Sequence, residues 1–241
     1  MSKARVVILG AGFGGLELGT LMSEAFGDAI DVTLIDKSDS FVFGYSKLDV
    51  MFRRTTLEAA RLPYRNFVKP GVRLLRQTIT EIDPVVRTVT TDGGAYEADY
   101  LIVALGAEYD IDATPGLAEA NEFYSVAGAN RLRDVLPTFN RGKALIGVCG
   151  APYKCPPGPS ECALMLHDDL VNRGVRDSCE ISFVLPLSSP VPPSPETSRA
   201  LVAAFAERYI KFFPGRRVAS LDNARKVAVL DDGIEMPFAR K

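Results

Sequence analysis

The sequence predicts an α/β fold of two domains with parallel sheets, the second of them incomplete. The first observation is an apolar, β-branched run from Arg5 to Leu9, typical of a buried parallel strand, which leads into the glycine-rich turn 10–15. A helix-forming segment and a second apolar strand, Ile30–Ile35, follow this turn. The second observation is that strand, turn, helix and strand recur in the same order from Lys143 onward. This order is typical of βαβ units and favours two Rossmann-like domains.

Each half also contains a predicted β ribbon. In the first half Ile82-Asp83 and Asp92-Gly93 mark its turns, and in the second half Leu221-Asp222 and Asp232-Gly233 take these places. A turn at Asp92-Gly93-Gly94 between alternating segments is a strong hairpin signal. The sequence therefore predicts β-ribbon or three-stranded insertions in both domains.

The internal repeat also predicts where the second sheet should close. Gly106 ends the last strand of the first half and follows Gly93 by 13 residues, whereas the same offset from Gly233 gives position 246, beyond the last residue. We therefore expect a truncated or partial chain that lacks this strand. The predicted domains are an FAD-binding-type domain over 1–115 and an incomplete second domain over 116–241.

The remaining elements follow from apolar periodicity and from turn and cap signals. Helices are predicted over Leu16–Phe26, 48–62, Ser125–Phe139, from an N-cap at Ser160 to Asn172, and over Glu196–Tyr209; further strands are predicted over Tyr100–Gly106, Lys143–Val148 and Glu180–Leu185.

Composition excludes several classes of function. The chain has 241 residues, 47% of them hydrophobic, and a net charge of −2, which gives no reason to expect a nucleic-acid partner. No apolar run has the length of a membrane span. Four cysteines without CxxC spacing and a single histidine predict neither a disulfide scaffold nor a metal site. We expect a cytoplasmic protein and leave a peripheral membrane location open for the complete protein.

The turn Gly10-Ala11-Gly12-Phe13-Gly14-Gly15 matches the dinucleotide fingerprint. Gly10 would permit the tight turn, Gly12 the approach of a pyrophosphate, and Gly15 the close packing of helix on strand. The helix N-terminus offers N–H groups to the phosphates, and Asp36 closes the second strand, where it would bind ribose hydroxyls. The motif alone leaves FAD and a nicotinamide dinucleotide as alternatives.

Two nearby segments have less specific patterns. Phe41-Val42-Phe43-Gly44-Tyr45 would either border an adenine or flavin ring or form core under a loop. The Arg53-Arg54 pair is expected on a solvated surface.

These features together resemble the FAD-dependent pyridine nucleotide-disulfide oxidoreductases, over essentially the whole chain. The segment 100–107 resembles the second FAD motif of that family, with Leu105 in place of the usual threonine. The resemblance implies FAD as the cofactor. The residues that it and the fingerprint assign to FAD are Gly10, Ala11, Gly12, Phe13, Gly14, Gly15, Asp36, Lys37, Ile79, Ala104, Leu105 and Gly106.

The second half lacks the glycine fingerprint that usually binds NAD(P)H in this family. Its first strand leads instead into the segment 149–157, in which prolines remove N–H donors and a cysteine stands at position 155. Such a turn resembles the sulfide:quinone oxidoreductase branch, which includes flavocytochrome c sulfide dehydrogenase. That resemblance implies a catalytic Cys155, and the adjacent Lys154 and the following helix N-terminus would favour its thiolate.

The chain also departs from that branch. It lacks the second redox cysteine of the C-terminal third, and no cysteine stands in the segment 123–125. Cys149 and Cys162 are either substitute partners for Cys155 or buried apolar residues. Cys179 is expected to be structural, and the single histidine, His167, to be packed or at the surface.

The predicted function is an FAD-dependent oxidation of sulfide or a related sulfur species through Cys155, with a quinone as the acceptor. One alternative is an NAD(P)H-dependent flavoprotein quinone dehydrogenase, which the missing glycine signature disfavours. Another is a catalytically inactive, truncated flavoprotein fragment. A membrane-binding surface is expected only from the missing C-terminal part, and the oligomeric state stays open.

Overall fold

The computed structural model describes residues 3–239. Its strands and α-helices are, in chain order, β1 (Ala4–Leu9), α1 (Phe13–Phe26), β2 (Ile30–Asp36), β3 (Ser40–Val42), α2 (Ser46–Met51), β4 (Arg61–Pro63), β5 (Val72–Arg76), β6 (Ile79–Asp83), β7 (Thr88–Thr91), β8 (Gly94–Glu97), β9 (Tyr100–Val103), α3 (Val126–Val135), β10 (Gly142–Gly147), α4 (Gly158–Asn172), β11 (Cys179–Leu185), α5 (Pro195–Glu207), β12 (Ile210–Pro214), β13 (Val218–Asp222), β14 (Val227–Leu230) and β15 (Glu235–Pro237). Short 3₁₀ turns lie between several of them.

The chain forms two compact units. The first unit comprises Met1–Phe43 and Arg61–Tyr109, and the second comprises Gly44–Ala60 and Asp110–Lys241. The segment 44–60 belongs to the second unit because Leu48, Met51 and Phe52 pack into its core. The boundary at residue 115 stays a prediction for the domains of the protein.

The first unit has three layers. Its parallel sheet has the order β5-β2-β1-β9. Val6, Ile8 and Leu34 point to one face and pack with residues of α1 such as Leu16. On the other face, residues including Val7 and Leu9 pack against the antiparallel sheet β6-β7-β8. Because both faces are covered, the central strands β1 and β2 are mostly apolar and buried, as the sequence pattern predicts.

The second unit repeats this plan. Its parallel sheet has the order β10-β11-β12. Phe183 on β11 packs in a cluster with residues of α3, α4 and α5, whereas its neighbour Val184 contacts the antiparallel sheet β13-β14-β15 through Val218 and Leu230. The mixed α/β fold with parallel sheets and three-stranded insertions is thus confirmed.

The repeat extends to single hydrogen bonds. In the first ribbon Asp92 donates its N–H to the carbonyl of Thr78 and accepts the N–H of Thr78 through Oδ1. In the second, Asp231 and Arg217 form the same reciprocal pair. The residue equivalent to Asp92 is therefore Asp231, and the sequence-based pairing of Asp92 with Asp232 is wrong by one position.

Several predicted boundaries need correction. Helix α1 begins at Phe13 rather than Leu16, and β9 ends at Val103 rather than Gly106. The helix predicted over 48–62 is limited to α2, because the chain turns at Arg53, whose φ is +62°, and then enters β4.

Two further differences concern the second unit. Helix α4 begins at Gly158, with Pro157 at the N-cap, so Ser160 is no cap but a buried residue of the first turn. The segment 210–214, which we did not predict as a strand, is β12 at the sheet edge next to β11.

Across residues 3–239, no helix combines the length and the apolar character needed to cross a membrane. The same residues contain no group of three or more His, Cys, Asp and Glu side chains arranged to hold a metal ion.

Candidate functional site

The glycine turn of the first unit requires glycine at two positions for reasons internal to the protein. Gly10 has a φ of +97°, and a Cβ there would lie 2.5 Å from the carbonyl oxygen of Ala104. A Cβ on Gly15 would lie 1.9 Å from the carbonyl oxygen of Gly10. Both glycines therefore permit close backbone packing between β1, α1 and the segment after β9.

Gly12 differs because nothing in the protein requires it. Its φ is −82°, which other residues adopt, and a Cβ there would meet no atom within 4 Å. The open space lies at the N-cap of α1, where the first N–H groups have no acceptor within the helix. Space and donors at one helix N-terminus fit a bound phosphate group.

Asp36 is the last residue of β2 and is oriented by its own chain. One carboxylate oxygen accepts the N–H of Ala11 at 2.8 Å, and the other accepts the N–H of Ser38 at 2.7 Å. A carboxylate has about four acceptor positions, so these two bonds leave capacity for ribose hydroxyls. The acid and the glycine turn are thus held together before any ligand binds.

The second predicted motif lies beside the glycine turn. Ala104 donates its N–H to the carbonyl of Leu9 at 2.8 Å. Leu105 is exposed, and Gly106 has a φ of +75°. The structure therefore brings Gly10 and the segment 104–106 together, although the two motifs are far apart in sequence.

The remaining predicted residues occupy different environments. Ile79 begins β6 and packs with the cluster that contains Leu9 and Ile35. The side chain of Lys37 is exposed. The ring of Phe13 makes edge contacts with Phe41 and Phe43 at centroid distances of 4.9 and 5.5 Å, while about half of it stays exposed (55%).

The residues of the first unit fit FAD as a dinucleotide. Gly12 leaves room for a pyrophosphate, the start of α1 offers N–H donors, and Asp36 offers carboxylate oxygens. That these residues and those of the segment 104–106 contact FAD stays a prediction.

The cysteine turn of the second unit connects β10 to α4 through residues 148–157, whereas residues 10–12 are enough between β1 and α1. Cys155 is exposed and has a φ of +53°. Its carbonyl accepts the N–H of Gly158, and a Cβ on Gly158 would lie 3.4 Å from the Cys155 Sγ. The thiol therefore lies close to the first residue of α4, where the helix dipole favours negative charge.

Tyr124 contacts this turn. Its hydroxyl donates to the Cys155 carbonyl at 3.2 Å, and its own carbonyl accepts a hydrogen bond from Lys47 Nζ. Tyr124, in the segment 123–125, thus lies next to Cys155. Sequence reasoning did not find the role of Lys47, because Lys47 is 77 positions away from Tyr124.

The other cysteines are less available as thiolates. Burial raises the pKa of the Cys162 thiol to about 12, and burial also raises the pKa of Cys149 despite a hydrogen bond with Thr114. Cys179 is buried in the core of the second unit, and burial raises its pKa as well. Cys155 is therefore the exposed cysteine among the four, all of which lie in the described part of the chain.

Sequence reasoning also missed Tyr64, which follows β4. Its hydroxyl is buried and donates to the carbonyl of Ala11 at 2.9 Å. No local motif marks Tyr64, because the two residues are 53 positions apart.

Together, the two α/β units and the glycine turn with its acid are typical of a dinucleotide-binding protein. The model of one family, pyridine nucleotide-disulphide oxidoreductase, matches residues 4–238. The chain belongs to this family. Its members are FAD-binding flavoproteins, so the predicted cofactor, FAD, is confirmed.

Two relatives show the range of similar proteins. The mitochondrial sulfide:quinone oxidoreductase of Mus musculus is 25% identical over 194 residues, which cover 74% of this chain and 41% of the relative. The alternative NAD(P)H-ubiquinone oxidoreductase C1 of Arabidopsis thaliana is 26% identical over an alignment of 247 positions that covers 92% of this chain and 46% of the relative. The chain thus spans less than half the length of these relatives.

Solved structures agree on the fold. The sulfide:quinone oxidoreductase of Aquifex aeolicus superimposes with a TM-score of 0.83 at 23% identity, covering 97% of this chain and 56% of that chain. The NDH2 of Plasmodium falciparum in complex with NADH gives a TM-score of 0.73 at 17% identity, covering 95% of this chain and 51% of that chain. The predicted resemblance to sulfide:quinone oxidoreductases is therefore confirmed.

Proposed function

We propose that this chain is part of a flavoprotein that oxidises sulfide or a related sulfur species through Cys155 and passes the electrons to a quinone. The observation that carries the proposal is the exposed Cys155 at the start of α4, in a proline-containing turn where a nicotinamide-binding glycine turn would otherwise stand. The similarity to the mouse sulfide:quinone oxidoreductase supports it.

Cys155 is the residue that would carry the sulfur in this proposal. In the net step, the Cys155 thiolate and HS⁻ would become a persulfide: one S–S bond forms, one S–H bond breaks, the proton is released, and two electrons leave to the acceptor. Bound FAD supplies a two-electron acceptor. The thiol of Cys155 lies near the start of α4, and the bond from Tyr124 holds the carbonyl of the same residue.

The first unit would hold FAD through the glycine turn, Asp36 and the segment 104–106. The aromatic cluster of Phe13, Phe41 and Phe43, in which Phe13 and Phe43 are exposed, lies at the N-terminal end of α1 and would exclude water from one side of the nucleotide.

A second candidate is an NAD(P)H-dependent flavoprotein quinone dehydrogenase. The similarity to the Arabidopsis enzyme over 92% of this chain favours it. The turn 148–157 argues against it, because Pro152, Pro156 and Pro157 carry no N–H to donate to a pyrophosphate.

Reduction of the bound flavin distinguishes the two candidates. The purified chain, reconstituted with FAD, is mixed anaerobically with sodium sulfide or with NADH, and the visible band of oxidised flavin is followed. We expect bleaching by sulfide and reoxidation by a short-chain ubiquinone. Bleaching by NADH alone would instead support the dehydrogenase, and a chain that retains no flavin would contradict both.

The role of Cys155 is tested with Cys155→Ser, matched by Cys179→Ser. We expect Cys155→Ser to bind FAD but to lose bleaching by sulfide at least about a hundredfold in rate, since the sulfur atom that forms the S–S bond is removed. Cys179→Ser should bleach at the wild-type rate. Equal rates for Cys155→Ser and the wild type would exclude the proposed role.

A further inference from the structure

Tyr64 lies between the two polypeptide segments that form the predicted nucleotide site of the first unit. Its hydroxyl donates to the carbonyl of Ala11 in the glycine turn, at 2.9 Å. Its backbone N–H donates to the carbonyl of Asp39, three residues after Asp36, also at 2.9 Å. A single residue thus connects the glycine turn to the loop that follows the acid.

Ala11 is held on both sides of its Cα. Asp36 accepts its N–H, and Tyr64 donates to its carbonyl. Ala11 itself is fully buried, so water does not compete for these groups. The two hydrogen bonds fix the peptide planes before and after Ala11.

The peptide plane after Ala11 contains the N–H of Gly12. In a trans peptide the carbonyl and the N–H point in opposite directions within one plane. A hydrogen bond that fixes the Ala11 carbonyl therefore also fixes the Gly12 N–H. Gly12 is the position where open space adjoins the start of α1.

We infer that Tyr64 is a positioning residue for the dinucleotide, which holds the Gly12 N–H in the direction of the pyrophosphate. This inference rests on the proposed FAD contacts of the glycine turn. Tyr64 is buried, with 8% of its surface exposed. Burial, followed by the charges of Asp36 and Asp39, raises the pKa of its phenol. The hydroxyl consequently stays protonated and donates over the whole working pH range.

The test compares Tyr64→Phe with Tyr96→Phe in the purified chain stripped of flavin. Tyr96 is a matched control, because its hydroxyl donates to Gln77 Oε1 in the same unit and does not contact the glycine turn. Binding of FAD, ADP and adenosine is measured by titration. ADP carries the pyrophosphate that adenosine lacks, so the ratio of their affinities reports the phosphate contacts.

We expect Tyr64→Phe to weaken FAD and ADP binding about five- to tenfold, the effect of one buried hydrogen bond, and to leave adenosine binding unchanged. Tyr96→Phe should bind all three like the wild type. An equal loss for ADP and adenosine, or no loss, would overturn the positioning role.

Two other outcomes are also decisive. If Tyr64→Phe fails to fold while Tyr96→Phe folds, the hydroxyl serves the fold of the unit and the positioning role is wrong. If the wild-type chain binds neither FAD nor ADP, the proposed FAD contacts are wrong, and the role inferred for Tyr64 is then wrong as well. A wild-type chain that binds both, with an unaffected Tyr64→Phe, contradicts the Tyr64 inference alone.

Discussion

Gly15 lies so close to Gly10 that a Cβ on Gly15 would be 1.9 Å from the Gly10 carbonyl oxygen. Gly15→Ala should therefore force α1 away from β1 and destabilise the protein by about 3 kcal/mol. Gly12→Ala is the matched variant, because its Cβ enters open space. It should change the free energy of unfolding by less than about 1 kcal/mol and yet abolish FAD binding.

Urea denaturation and flavin titration of both variants check this pair. A Gly12→Ala variant that retains FAD would show that no ligand occupies the space beside this residue.

The pH dependence of stability should reflect His167. Arg176 donates its Nε–H to His167 Nδ1 at 2.9 Å, and burial, then the charge of Arg176, lowers the pKa of the imidazole. The unfolded state therefore takes up a proton at a higher pH than the folded state. Stability is fully present above about pH 6.5 and falls as the pH decreases toward the folded-state pKa.

Urea denaturation at pH 8 and at pH 5.5 measures this effect. His167→Gln retains a hydrogen-bond acceptor but does not titrate, so its stability should change less between these pH values. An identical pH dependence in the variant would assign the effect to other groups.

The network around Asp169 should be a main determinant of stability in the second unit. Its two oxygens form ion pairs with Arg53 at 2.7 Å and with Arg173 at 3.1 Å. The prediction that Arg53 lies on a solvated surface is therefore wrong, because its side chain is partly buried, whereas Arg54 is exposed. Asp169→Asn should cost about 2–3 kcal/mol, because it leaves two partly buried guanidinium groups without their carboxylate.

Asp168→Asn is the control, since Asp168 is the exposed neighbour on the same helix and should change stability by less than about 0.5 kcal/mol. Equal free energies of unfolding for the two variants would refute the importance of the network.

Thiol labelling should distinguish Cys155 from the other cysteines. In the native chain a disulfide reagent should react rapidly with one thiol, that of the exposed Cys155. Cys162, whose pKa burial raises to about 12, should react only after unfolding. Stopped-flow absorbance measures the phases, and Cys155→Ser should lack the fast one. A fast phase that persists in this variant would contradict the assignment.

The sequence predicted those features that depend on neighbouring residues. The glycine turn, the strands on either side of it and the hairpin at Asp92-Gly93 are local patterns, and each has a direct conformational cause. The predicted start of α4 is wrong. Serine is a residue type that often caps helices, which favours Ser160 as the cap, but Pro157 and Pro159 already set helical φ values before it. The strand β12 was missed because it is short and directly follows α5.

The contacts of the candidate site were less predictable. The bond from Tyr64 to Ala11 and the bond from Lys47 to Tyr124 join residues that are far apart in sequence. They depend on how separate segments pack, and no spacing rule describes them. The residue types alone, a tyrosine and a lysine, are compatible with many other contacts.

The reciprocal bonds of Asp92 with Thr78 and of Asp231 with Arg217 close the two ribbons in the same way. The two units share their layers and ribbon, whereas the connection between the first strand and its helix comprises residues 10–12 in one unit and 148–157 in the other. The same scaffold thus carries two different connections. Protein engineers could transplant the short glycine turn into the second unit to create a new nucleotide site.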